Sequence, residues 1–223
     1  LLQNNYFDNA GTRIVQIGGS TGLQFFRPVD TSYEAKDIRV AGNTFVGGEA
    51  QLSWVTAQNS LVSNNLFYLP QKWLGRILQE TKNPRFLPSQ AGVFERNLVV
   101  TDERVRSLIN IGRRTLPDSF VFQENVWSAT EDTVEDALPT EEIHGVYNVG
   151  FRVVKDEQSR IRVKKDYPYA ERVGPAAYLS WKTEKVFGDI DLPPVVMLKS
   201  TVDFSSSRKA RWLGVFAMFS AAT

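Results

Sequence analysis

The residues able to do acid, base or nucleophilic chemistry are few in kind. Histidine occurs once, as His144, and cysteine not at all. Disulfides, thiolate catalysis, cysteine-ligated metals and a multi-histidine zinc site are excluded together, and a Ser-His-Asp triad would have to be built on His144. A lone histidine is more simply a surface or locally hydrogen-bonded residue. Arginine, lysine, tyrosine and carboxylates remain, and three stretches that read as insertions carry the candidates. Residues 20–36 hold Arg27, Asp30, Tyr33, Glu34 and Lys36; residues 80–90 hold Glu80, Lys82 and Arg85; Arg113, Arg114 and Asp118 follow. Such groups can neutralise a carboxylate, take a proton beside it and protonate a leaving oxygen, provided their surroundings tune their pKa. A further run holds Glu131, Asp132, Glu135, Asp136, Glu141 and Glu142. Its spacing matches no EF-hand loop, so it reads as a solvated acidic loop. No cofactor is expected, and calcium is the one ion left open.

The balance of 26 basic against 25 acidic residues leaves a net charge of +1, which gives no broad field to recruit nucleic acid or an anionic membrane. No apolar run reaches the 18 residues of a membrane-spanning helix. The most apolar stretch, residues 212–222, reads as a buried closing element.

The element that positions these groups is a repeat. Five segments place an asparagine two residues before a large apolar residue: Asn5 and Phe7, Asn43 and Phe45, Asn65 and Phe67, Asn97 and Val99, Asn125 and Trp127. Three residues before each Asn stands Leu2, Val40, Val62, Phe94 or Phe122. Twelve residues after the first four stands Ile17, Val55, Ile77 or Ile109. Distances between repeats vary while these offsets hold, so insertions fall at one point of each repeat, as loops do on one side of a solenoid. Alternation around the offsets has period two, which predicts strands, including one over residues 71–80. The asparagine suits a tight turn because it tolerates the left-handed region, and its amide can bond from repeat to repeat. Simple turn residues without a ladder are the alternative. The expected fold is all-β, with four to five rungs over residues 1–127. Residues 128–223 are read as terminal strands and a cap, or as a small separate β domain. The strand-like runs there cover residues 146–154, 160–163, 177–181, 195–198, 202–207 and 211–219.

Asn-X-Phe rungs of this length resemble the right-handed parallel β-helix repeats of the pectate-lyase-like superfamily. Ile17-Gly-Gly-Ser-Thr-Gly, Phe25-Phe26-Arg27-Pro28 and residues 76–80 are also similar to stretches in bacterial β-helix repeat proteins of unassigned activity. The resemblance covers residues 1–127. It implies three strands per rung, an Asn ladder between the second and third, and a substrate groove on the sheet of first strands. It further implies a secreted, periplasmic or cell-surface protein with a polysaccharide partner. The outward residues of that sheet would be Gln16, Trp54, Arg76, Leu108 and Asn110. Trp54 and Arg76 share one offset and are expected as stacked neighbours, an aromatic face for sugar C–H surface beside a guanidinium for a carboxylate; burial of Trp54 under a loop is the alternative.

Substrate contacts are therefore expected from Gln16, Arg27, Trp54, Asn110 and Arg113. For β-elimination on a uronic-acid polymer, Arg76 would neutralise the carboxylate, with Lys82 or Tyr33 as base or acid; Glu80 is a candidate for carboxylate-based hydrolysis. A non-catalytic glycan-binding or adhesion module and a structural β-helix of a larger assembly are the competing functions. Because the strand pattern starts at Leu1, a preceding segment or another polypeptide stacked on the first rung is expected.

Overall fold

A computed structural model describes residues 1–129, 134, 137–147, 150 and 153–184. The runs expected at 195–198, 202–207 and 211–219 lie outside them. Along the chain come β1 (Leu2–Gln3), β2 (Tyr6–Asp8) and β3 (Arg13–Gly18), then β4 (Ala35–Lys36), β5 (Arg39–Ala41), β6 (Thr44–Val46) and β7 (Ala50–Val55). Next are β8 (Ala57–Ser63), β9 (Leu66–Tyr68), β10 (Trp73–Leu78), β11 (Gln90–Glu95), β12 (Leu98–Val100) and β13 (Ile109–Ile111). β14 (Val121–Gln123), β15 (Val126–Ser128), β16 (Glu142–Ile143) and β17 (Val146–Tyr147) complete three parallel sheets. The first sheet runs β1-β5-β8-β11-β14-β16 with β4 beside β8, the second β2-β6-β9-β12-β15-β17, and the third β3-β7-β10-β13. Through β13 the chain visits the three in turn, from β14 to β17 the described strands alternate between the first and second, and each visit pairs in parallel with the one before. The architecture is all-β and compatible with a β-helix or solenoid. Residues 71–80 contain a strand, as the alternation requires.

The repeat asparagines stand in one line. The backbone N–H and Nδ2 of Asn43 both donate to Oδ1 of Asn65, at 2.9 and 3.0 Å. Asn65 does the same to Asn97 at 2.9 and 3.0 Å, and Asn97 to Asn125 at 2.9 and 3.2 Å. Asn5 starts the line on Asn43, at 2.9 and 3.0 Å. The remaining Nδ2 hydrogen of each inner member goes to a strand carbonyl, such as Val40 O for Asn65 and Val62 O for Asn97. Asn43, Asn65, Asn97 and Asn125 are all 0% exposed, so these bonds satisfy amides that water cannot reach. The left-handed residue of the turn is the one before each ladder position: Asn4, Gly42, Asn64, Arg96 and Glu124 before the asparagines and His144 before Gly145 have φ between 50° and 67°. The ladder asparagine is thus kept for its amide, and His144 is a turn residue.

Inside the ladder the apolar columns stack. Phe7 lies 5.2 Å from Phe45 and Phe45 4.9 Å from Phe67, the rings nearly parallel in both cases, and Val99, Trp127 and Tyr147 continue the register. Val40, Val62, Phe94 and Phe122 form the next column.

Four expectations are corrected. The first and second sheets continue past residue 127 to Ile143 and Tyr147, because β16 and β17 pair with β14 and β15. The offset of twelve drifts: Ile17 and Ile77 flank Trp54 and not Val55, and Ile109 pairs with Gly75 while Ile111 pairs with Ile77. The cause is turn length between the second and third sheets: residues 9–12 and 69–72 in two rungs, but 47–49 in another and 101–108 in the fourth. Insertions therefore fall at two corners. Lastly, residues 177–181 belong to a helix, α1 (Gly174–Glu184), with Pro175 in its first turn, where a missing N–H costs nothing. Ahead of it, β18 (Val153–Lys155) and β19 (Ile161–Val163) form an antiparallel pair.

Residues 161–178 lie along the outer face of the second sheet. Tyr167, Ala170 and Val173 pack on Leu66, Leu98 and Val126. Tyr6 Oη accepts from the N–H of Ile161 at 2.9 Å, and Tyr178 Oη bonds Oε1 of Gln3 at 2.8 Å.

The ladder ends without an asparagine. Its last position is Gly145, where a Cβ would lie 2.4 Å from Cγ of Glu142. The Glu142 carboxylate fills that space and accepts from Asn125 N at 3.0 Å and Nδ2 at 2.9 Å. Glu142 occupies the inward column below Phe122, and burial raises its pKa above the ordinary value of 4.5 despite the Asn125 bonds.

Two outcomes follow. Asn97→Ala strands the Asn65 donors and the Val62 carbonyl, and should cost roughly 2–5 kcal/mol in denaturant unfolding; a loss under 1 kcal/mol would contradict the ladder's role. For Glu142 the folded chain holds its proton above the pH at which the unfolded chain releases it. Stability should therefore fall as pH rises above about 4.5. Glu142→Gln keeps an acceptor without the charge, so its melting temperature should exceed wild type at neutral pH and converge with it in acid.

Candidate functional site

The outer face of the third sheet carries one polar column. Register pairs Gln16 with Ser53, Ser53 with Arg76, and Arg76 with Asn110. Gln16, Arg76 and Asn110 stand mid-strand and the strand alternation aims them outward, whereas Ser53, in the same register, is 0% exposed. Trp54 does not belong here. The shorter turn before β7 moves it by one residue, which in a strand moves it to the other face. It is 1% exposed, its indole N–H donates to Ser60 Oγ at 2.7 Å, and it meets Phe120 edge-on at 5.3 Å. Leu108, also expected outside, is 4% exposed and in the same core.

Arg76 is the centre of the column. Its Nε donates to Asn110 Oδ1 at 3.2 Å, and its guanidinium carbon lies 4.8 Å from the centroid of the Trp73 ring. Lys72 Nζ lies 4.1 Å from that centroid. Trp73 begins the strand that carries Arg76, so the fold gathers two cations at one indole. Partial burial and then the charge of Arg13 lower the pKa of Arg76, against the opposing pull of Glu80 and Glu49. It stays protonated, as guanidinium does in proteins.

Two ion pairs border Arg76. Arg13 bonds Gln16 Oε1 at 2.8 Å and meets Glu80 at 3.4 Å; Lys72 meets Glu49 at 3.3 Å. Each joins different rungs through one nitrogen–oxygen contact between side chains 35–44% exposed. Pairs so solvated contribute about 0.2–1 kcal/mol, so either carboxylate can be exchanged for another anion cheaply. Beside this face, at the turns between the second and third sheets, runs a cleft of about 810 Å³. Asn9, Thr12, Glu49, Gln71, Lys72, Glu103, Arg104 and Arg106 line it, and Lys72 belongs to both surfaces.

Of the residues expected to act, the structure gathers Gln16, Arg76, Asn110 and, through Arg13, Glu80. Apart from the buried Trp54, the others sit on insertions at the corner between the third and first sheets. Tyr33 packs against Lys36 at 5.8 Å, Arg27 bonds the carbonyls of Gln24 and Phe26, and Lys82 and Arg113 are exposed. The first two insertions fold together: Phe26 meets Phe86 at 5.0 Å, the Arg85 guanidinium lies over both rings, and Leu87 N bonds Ser32 O at 3.0 Å. Gln16 stays exposed beside them. Among the described residues no group of three or more His, Asp or Glu could hold a metal ion. Residues that spacing did not single out are Arg13, Lys72 and Trp73. Spacing gave no cue to them, since alternation puts Trp73 and Arg76, three residues apart in one strand, on opposite faces.

No protein-family model, no curated protein and no solved structure matches the chain.

Trp54→Ala should cost about 3–5 kcal/mol in thermal or denaturant unfolding, as for a core aromatic. A surface position would change stability by less than 0.5 kcal/mol, and that result would return Trp54 to the outer face.

Proposed function

We propose that the three sheets form a right-handed parallel β-helix of the pectate-lyase-like kind, and that the outer face of its third sheet binds an acidic polysaccharide without cleaving it. Handedness follows from the near-universal right-handed crossover of parallel strands. The observation that carries the binding reading is the Arg76, Trp73 and Lys72 group beside the amides of Gln16 and Asn110. Guanidinium and ammonium attract the polymer's acid groups, indole offers apolar surface to sugar C–H groups, and the amides bond hydroxyls. The column runs along the stacking direction, which suits a linear chain. Binding is preferred over elimination because Lys82 and Tyr33, the candidates for base or acid, sit on the corner insertions and Tyr33 faces Lys36. A polysaccharide ligand fits a protein working at or outside the cell surface, and the reading needs no cofactor.

The test is titration of the folded chain with polygalacturonate, alginate, a sulfated glycan and neutral dextran. Acidic polymers should bind, increasingly weakly as salt is raised, and Arg76→Ala should weaken binding at least tenfold. Failure to bind any acidic polymer overturns the reading. Release of unsaturated sugar, seen by ultraviolet absorbance, would overturn the non-catalytic half of it.

A further inference from the structure

The cleft beside the third sheet has its own composition. Residues of four successive rungs line it: Asn9 and Thr12, Glu49, Lys72, then Arg104 and Arg106. It therefore runs in the same direction as the Gln16 to Asn110 column. The two tracks meet at Lys72, which lies over Trp73 on one side and lines the cleft on the other. The fourth-rung turn is the long one, residues 101–108, and it brings Arg104 and Arg106 to the cleft. Asp102 fixes Arg104 through two guanidinium nitrogens, at 3.0 and 2.7 Å, while Arg106 is exposed. Two carboxylates line the cleft with these cations: Glu49 meets Lys72 through a single contact at 3.3 Å, and Glu103 is exposed beside Arg104.

Resting on the binding role proposed for the third-sheet face, we infer that this cleft is a second anion subsite for the same polymer. Lys72 and Arg106 hold the carboxylate or sulfate groups that project from a chain lying over Trp73 and Arg76. Glu49 occupies the Lys72 charge until a ligand acid group replaces it. The favoured ligand is then a polymer with acid groups on the edge facing the turns, and Glu49 sets how strongly it must compete.

The experiment is calorimetric titration of polygalacturonate and of a sulfated glycan into wild type, Arg76→Ala, Arg106→Ala and Glu49→Gln. Glu124→Gln, remote at the corner between the first and second sheets, controls for net charge. Unfolding curves check that each variant is folded. Arg106→Ala should weaken binding about fivefold. Glu49→Gln should tighten it severalfold, and Glu124→Gln should leave it unchanged. Binding by wild type that Arg76→Ala reduces but Arg106→Ala and Glu49→Gln leave alone overturns the second subsite and spares the face. Weaker binding by Glu49→Gln overturns the displacement. Binding in none of the arms removes the third-sheet face as a binding site, and the subsite with it.

Discussion

Everything in this fold depends on the buried asparagine ladder. An Asn amide has two donors and an acceptor with room for two bonds, and in the inner rungs all of this capacity is used within the protein. Each amide is satisfied only when its neighbour is also in place and in register. A slip by one residue would bury unpaired polar groups and also turn the Phe45 and Phe67 column away from the core. The ladder therefore sets the alignment that the apolar columns, being less directional, would set only loosely. The left-handed residue before each asparagine bends the chain so that the amide points back along the stack.

That dependence explains what was legible beforehand. Asparagine and the apolar residue two places on lie at the start of one strand with no turn between them, so their spacing cannot vary, and five repeats showed it. The third sheet is tied to the ladder through another turn, and its length does vary. Three residues in place of four carried Trp54 into the core, and the long turn at residues 101–108 moved Ile109 off the Ile77 column. Arg76 and Gln16 were placed on the right face because their rungs have equal turns. Arg13, Lys72 and Trp73 were missed because they lie at strand starts, where side chains reach across rungs and alternation stops being informative. The helix at residues 174–184 was hidden by a Gly-Pro pair that reads as a strand boundary and here opens a helix.

The candidate site inherits its geometry from the same stack. Parallel pairing brings Gln16, Ser53, Arg76 and Asn110 into one line although they come from distant parts of the sequence. The surface is rigid where the rungs hold it and exchangeable where Lys72–Glu49 and Arg13–Glu80 border it. The insertions, by contrast, tie to one another over the opposite corner through Phe26, Phe86 and Arg85.

Ladder partners stand 38, 22, 32 and 28 residues apart in sequence, yet every amide-to-amide contact has the same length within a few tenths of an ångström. The entropy of closing a flexible loop grows only with the logarithm of its length, so the span from 22 to 38 residues costs about 0.5 kcal/mol. The closure cost alone therefore places little limit on the length of an insertion, as long as the strands on either side of it keep their register. A loop grafted between two strands whose register it preserves would inherit a scaffold whose stacking energy depends little on the loop's length.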